Sequence, residues 1–153
     1  MVHADCSITD DTPLGITVSI ARRGRSIFLN DRLGPLGLSA GQFPVLMLLA
    51  RKQNIIQETL VRHYHLDKGT IARAVRKLED AGYIRRITDP DNRRAVRLFL
   101  TEKGEQVIPT LQAINHEWET RISSGLTAEE QATLRRLMKT VAQNSFFTMQ
   151  EVT

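Results

Sequence analysis

LDKGTIARAVRKLEDAGYIRRITDPDNRRAVRLFLTEKG, residues 66–104, is the stretch that decides the fold. Asp67 is a helix-capping residue type. From Lys68 to Ala81, apolar Ile71, Val75 and Leu78 recur at i, i+4 and i+7, and Gly82 supplies a stop. The spacing predicts a helix with one core-facing stripe and with Lys68, Gly69, Thr70, Arg73, Arg76 and Lys77 on its other faces. Thr70, Arg73 and Lys77 lie three or four residues apart, so they are neighbours on one face. Alternating β-prone runs follow at Tyr83–Thr88 and Ala95–Leu100. Between them DPDNRR is turn chemistry that carries Arg93 and Arg94. A basic helix is thus followed at once by a hairpin with a basic tip, a pair of elements suited to the major groove and to the backbone or minor groove beside it.

Working outward, a helix from about Ile56 to Tyr64 turns its Leu60, Val61 and Tyr64 inward. His65-Leu66 joins it to the basic helix as a helix-turn-helix unit. Ser39-Ala-Gly-Gln42 reads as a capping box opening QFPVLMLLARK, in which Val45, Leu46, Leu48 and Leu49 are core and Pro44 predicts a kink. A first helix is expected to start at Thr12-Pro13, with Thr12 as the cap, and to end near Leu33, before the turn chemistry of GPLG. Downstream, Thr101 caps a helix over about 102–124 with a local kink expected at Pro109. Thr127–Glu130 is a second capping box, opening a last helix with Leu134, Leu137, Met138, Val141 and Ala142 on its apolar face. The first helix and the last two are too apolar on one face to be mere appendages. Self-association is expected, because a two-fold dimer would present two basic units to one duplex.

Composition agrees. The chain has 153 residues, 41% hydrophobic and 25% charged, enough for one core without covalent staples. The net charge is +4, and the excess lies in the middle: residues 51–103 hold 13 Lys and Arg against 7 acids, whereas the N-terminal third is neutral and the C-terminal third acidic. Arginine dominates that excess, and its planar fork matches phosphate and guanine edges. The single cysteine, Cys6, excludes an internal disulfide and points to a reducing, cytoplasmic setting. Beside Asp5 it reads as an inert thiol. His3, His63, His65 and His116 lack metal-ligand spacing, so no metal is expected. The residues 33–50 carry no charge, but glycines and prolines interrupt them, which argues against a membrane span. No nucleophile–base set or glycine-rich phosphate loop is present, so neither an enzyme nor a cofactor is expected.

With these residues in place, the chain resembles the MarR family of winged-helix transcriptional regulators over roughly Leu14 to Asn144. The resemblance rests on Leu78, Glu79, Gly82, Arg85 or Arg86, Arg94, Leu100, Thr101 and Gly104, and on PLGLSAGQF at 35–43. It implies a mainly α fold with a small β-hairpin wing, a winged helix-turn-helix flanked by N- and C-terminal dimerisation helices. The boundaries expected are a flexible tail over 1–11, an N-terminal dimerisation helix and connection over 12–38, the DNA-binding domain over 39–103 and dimerisation helices over 104–153. It further implies a homodimer, more often a repressor, on pseudo-palindromic operators in double-stranded DNA, with Arg94 at the wing tip and Thr70 and Arg73 at bases or phosphates. In many members a small phenolic or anionic effector releases the DNA; here Arg22, Phe43, Met47 and Leu111 are the residues expected to line its cleft. Trp118 is expected in the dimer core. Three departures stand out: Asn92 where the wing has an aspartate, Gly69 where serine is common, and His65 in place of a small turn residue. Asn92 predicts a looser wing. A second reading stays open, a ligand- or protein-binding module on the same fold with little DNA sequence specificity.

Overall fold

The computed structural model describes residues 8–152. The order is α1 (Leu14–Leu33), a 3-10 turn (Gly34–Leu36), α2 (Phe43–Arg51), β1 (Ile55–Ile56), α3 (Gln57–Tyr64), α4 (Lys68–Asp80), β2 (Ile84–Thr88), β3 (Val96–Leu100), α5 (Glu102–Ile122) and α6 (Ala128–Val152). The chain is mainly helical, as its apolar spacings predict. The hairpin forms with Ile84 opposite Leu100 and Thr88 opposite Val96.

Three local caps follow from the sequence. Asp67 accepts the Thr70 N–H at 2.8 Å, Thr101 accepts the Gly104 N–H at 3.1 Å, and Thr127 exchanges both capping-box bonds with Glu130 at 2.8 and 3.2 Å. Each satisfies donors that the first helical turn leaves without partners. Gly82 follows α4 at φ +77°, a conformation that side chains with a Cβ resist.

Four expectations are corrected. The segment Ile55–Ile56 is a strand, antiparallel to Leu98 and Arg97, so the sheet has three strands in the order β1-β3-β2 and α3 starts at Gln57 rather than Ile56. Pro13, not Thr12, is the cap residue of α1. No side chain caps that helix, because the Thr12 hydroxyl is engaged as acceptor for the Thr9 N–H. Pro44 stands within the first turn of α2, which begins at Phe43, so it removes no bond from that helix's ladder and supplies no reason for a kink. The Ser39 capping box is one-sided: Gln42 Oε1 accepts the Ser39 N–H at 2.8 Å, but the return bond is absent and the segment forms a turn ahead of α2.

The core sits where α1, α2, α4, the sheet and α5 meet. Leu29, Leu33, Leu46, Leu49, Ile71, Leu78, Leu98 and Leu111 are essentially inaccessible, and burial of each such side chain stabilises by roughly 1.5–3 kcal/mol. Two tyrosine hydroxyls tie this core together: Tyr83 donates to Leu36 O in the α1–α2 connection at 2.6 Å, and Tyr64 donates to Pro44 O in the first turn of α2 at 2.9 Å. Arg32 of α1 grips Glu117 of α5 with two bonds of 3.2 and 2.9 Å, and Arg121 adds a third at 3.0 Å. Those guanidiniums hold the Glu117 carboxyl well below its ordinary value, at about 2. Trp118 packs against Phe28 of its own chain, with ring centroids 5.4 Å apart. In contrast, α6 buries no residue at all. Leu134, Leu137, Met138, Phe147 and Met149 on it are exposed, as are Leu14, Ile16 and Ile20 on α1.

Candidate nucleic-acid interface

The outer face of α4 is organised from its first turn. The Asp67 carboxylate accepts the Thr70 N–H and the Thr70 hydroxyl, and these bonds hold it below the usual carboxylate range. The Thr70 hydroxyl in turn accepts from Arg73 Nη2 at 3.1 Å. Arg73 is therefore folded toward the start of the helix, beside Gly69. Lys68 and Arg94 border one groove with Ile56, Glu58 and Val96, so the start of α4 and the wing are neighbours. Lys77 lies at the other end of α4, near Asp80, Gly37 and Ser39. Lys68, Arg73, Arg76, Lys77, Arg93 and Arg94 are all exposed.

Of the acidic residues around them, Asp67 and Glu79 are engaged by Thr70 and Arg86, whereas Glu58, Asp80 and Asp91 are exposed. Glu79 does not pair with Arg76 on its own helix; it accepts from Arg86 Nε at 2.7 Å, across the turn into β2. That bond holds the Glu79 carboxyl down and the Arg86 guanidinium up in pKa. Arg85 stacks its guanidinium 5.0 Å from the Phe99 ring centroid. Among the described residues, none of these six exposed cations on α4 and the wing forms an ion pair. A phosphate approaching this face therefore meets cations that no carboxylate holds in an ion pair.

The wing is tied by a carboxylate other than the one expected at position 92. Its carboxylate clamp is Asp89, which no local pattern singled out. Asp89 is only 4% exposed; it accepts the Asp91 N–H at 3.0 Å and the Arg97 Nε at 2.9 Å, and the backbone bond and then the guanidinium hold its pKa down. Arg97 continues to Asn54 Oδ1 at 3.1 Å, which links the wing to the turn before β1. Asn92 has a smaller duty: its Oδ1 accepts the Arg94 N–H at 3.1 Å, shaping the tip. Asp89, Arg97 and Asn54 are the site-supporting residues that sequence reasoning missed. The available signal was an acid opening the turn and an arginine eight residues later on β3.

The four residues expected to line an effector cleft lie in different surroundings. Phe43 and Leu111 are core, Met47 packs half-buried against it, and Arg22 is exposed on α1. It is Arg25, not Arg22, that stands over the Phe43 ring, 5.5 Å from its centroid, and burial pushes its pKa down. His65 adopts φ +51° at the α3–α4 turn and stacks on Phe146 of α6, with centroids 3.8 Å apart. Among the described residues no group of three or more His, Cys, Asp or Glu stands where a metal could be held, and no helix is long and apolar enough to cross a membrane. His3 and Cys6 lie outside the described residues.

A family model described as MarR family matches residues 38–96, which span α2 to the start of β3. An uncharacterised HTH-type transcriptional regulator of Bacillus subtilis, YybA, is 34% identical over 128 residues, covering 83% of this chain and 85% of that one. The multiple antibiotic resistance protein MarR of Escherichia coli is 29% identical over 130 residues, 84% of this chain and 90% of that protein. Among solved structures, a MarR family transcriptional regulator from Listeria monocytogenes, complexed with 26mer DNA, superposes with a TM-score of 0.83 at 28% identity, covering 91% of this chain and 95% of the other.

Proposed function

The chain belongs to the MarR family of transcriptional regulators, and from that premise we propose that it is a homodimeric repressor that reads a pseudo-palindromic operator in double-stranded DNA. The observation that carries this reading is the set of six exposed cations on α4 and the wing, none of them in an ion pair, with Asp67, Glu79 and Asp89 beside them engaged by Thr70, Arg86 and Arg97. In the complex α4 lies in the major groove and the hairpin tip in the adjoining minor groove. Thr70 and Arg73 face base edges, Lys68, Arg76 and Lys77 meet phosphates, Gly69 leaves room for close approach, and Arg93 and Arg94 enter or flank the minor groove. The division of labour assigns 39–103 to DNA, and 12–38 and 104–153 to pairing. The exposed apolar residues of α1 and α6 support that assignment, since patches of this kind mark association surfaces.

Release by a small phenolic or anionic ligand is part of the same proposal, with Arg22, Phe43, Met47 and Leu111 around the junction of α1, α2 and α5. Because Phe43 and Leu111 are packed there, an occupant has to open the junction, and this would change the spacing of the two α4 helices. The test is fluorescence anisotropy of the chain against the DNA upstream of its own gene and a scrambled duplex, at two salt concentrations. A preference above about 10³-fold with a steep salt dependence is expected of a specific regulator. Equal, weak binding to both, followed by equal binding to the other duplexes of its genomic neighbourhood, refutes sequence-specific regulation and leaves the ligand- or protein-binding module as the reading.

A further inference from the structure

We propose that Gly69 is a specificity-determining residue: by lacking a Cβ it lets Arg73 fold back onto Thr70, and this posture fixes which base edge the arginine reads. The inference rests on the DNA-reading role of α4 proposed above. A Cβ built on Gly69 would lie 3.3 Å from Arg73 Nη1 and 3.2 Å from Asp67 Oδ1, tighter than ordinary contacts. One of the two neighbours has to give. Asp67 is held by both the backbone N–H and the hydroxyl of Thr70, whereas Arg73 is held by one bond of 3.1 Å at the end of a flexible side chain. Arg73 therefore gives. Arg73 Nη1 has to yield by a few tenths of an ångström, which strains the Nη2 bond to Thr70, the outermost link of the chain Asp67–Thr70–Arg73, and re-aims the guanidinium fork. Its charge and its count of donors stay the same, so attraction to phosphate is retained. The direction in which the planar fork points is what changes, and bidentate recognition of a base edge depends on that direction.

The experiment uses the full chain and a pool of randomised duplexes, partitioned by binding and sequenced, so that no operator need be known beforehand. Four proteins are compared: the unaltered chain, Gly69→Ala, Arg73→Ala, and Gly69→Ala in the Arg73→Ala background. Thermal unfolding of each confirms that the fold is kept, as expected for an exposed first-turn position. Gly69→Ala should change the relative preference at one base position of each half-site by about tenfold or more. In the Arg73→Ala background the same change should move no position by more than about twofold, because the residue through which it acts is gone. An unchanged preference for Gly69→Ala, with binding intact, overturns the inference. An equal change in both backgrounds also overturns it, since Gly69 would then act without Arg73. If the unaltered chain enriches no sequence, sequence-specific regulation fails, and this inference fails with it.

Discussion

Gly104→Ala probes the junction between the hairpin and α5. A Cβ on Gly104 would lie 2.1 Å from the Tyr83 carbonyl oxygen and 3.1 Å from both the Tyr83 carbonyl carbon and Leu100 Cδ2. The first two are backbone atoms, and Tyr83 O already accepts the Thr101 N–H at 3.0 Å, so no rotamer change relieves the clash. To reach even 3.0 Å, the first turn of α5 has to withdraw by close to 1 Å. Three bonds cross that junction: Thr101 N–H to Tyr83 O, the Thr101 hydroxyl to Gly82 O at 2.6 Å, and Lys103 Nζ to Ala81 O at 2.7 Å. Losing two of them costs about 1 kcal/mol each. Residual overpacking against Leu100 adds about 1–3 kcal/mol. The better helix propensity of alanine returns up to about 1 kcal/mol. The net is a loss of about 2–4 kcal/mol, which for a chain of this length lowers Tm by roughly 5–15 °C. The assay is thermal unfolding followed by far-ultraviolet circular dichroism at one fixed protein concentration, because association shifts the midpoint. A midpoint within about 2 °C of the unaltered chain would refute the reasoning, since it would mean that the junction absorbs the methyl group without strain.

Arg94→Ala should weaken DNA binding on all sequences and reduce the slope of log affinity against log salt by about one; an unchanged slope removes Arg94 from phosphate contact. Glu117→Gln should lower Tm at neutral pH, with the difference shrinking on acidification. The folded carboxyl titrates near 2, below the ordinary carboxylate value, so its stabilisation is complete above the ordinary value and is lost as pH falls towards 2. A difference that persists at pH 2 would contradict the Arg32–Glu117–Arg121 cluster as its source. Asp89→Asn should speed amide hydrogen exchange through 89–97 while leaving α4 unchanged, because the clamp on Arg97 loses its charge; unchanged exchange in the wing counts against the clamp. Under the homodimer proposed above, Leu137→Glu on the exposed face of α6 should give a folded monomer in analytical ultracentrifugation beside a dimeric unaltered chain, and a variant that still pairs would place the pairing surface elsewhere.

The parts of the structure that were legible in the sequence are those set by neighbours a few residues apart. Asp67, Thr101 and Thr127 cap their helices because a cap depends on three or four residues, and Ile71, Val75 and Leu78 are buried because one helical stripe decides it. What was not legible depends on partners distant in the chain. β1 is two residues long, too short to show alternation, and exists only because β3 offers it an edge more than 40 residues later. Glu79 is held by Arg86, which reaches it from β2 seven residues later, beyond the span of a helical pair. Asn92 drew attention to the wing tip, but the clamp joins Asp89, at the opening of the turn, to Arg97 on β3. The effector residues were the least legible, because a cleft is defined by how helices pack and Arg22 and Arg25 differ only in which way α1 turns them.

The 25-residue α6 has no residue sealed from water in one chain. Isolated helices gain little from propensity alone, and packing supplies most of their stability. Under the homodimer proposed above, the ordering of α6 and the meeting of two chains become a single equilibrium. At low abundance a chain carries a fraying, apolar C-terminal segment that proteases and chaperones recognise, and at higher abundance the same segment is hidden. Operator occupancy then rises with the square of chain abundance below the dimerisation threshold. A cell holding few copies would see almost no repression, and a modest increase in synthesis would switch it on sharply.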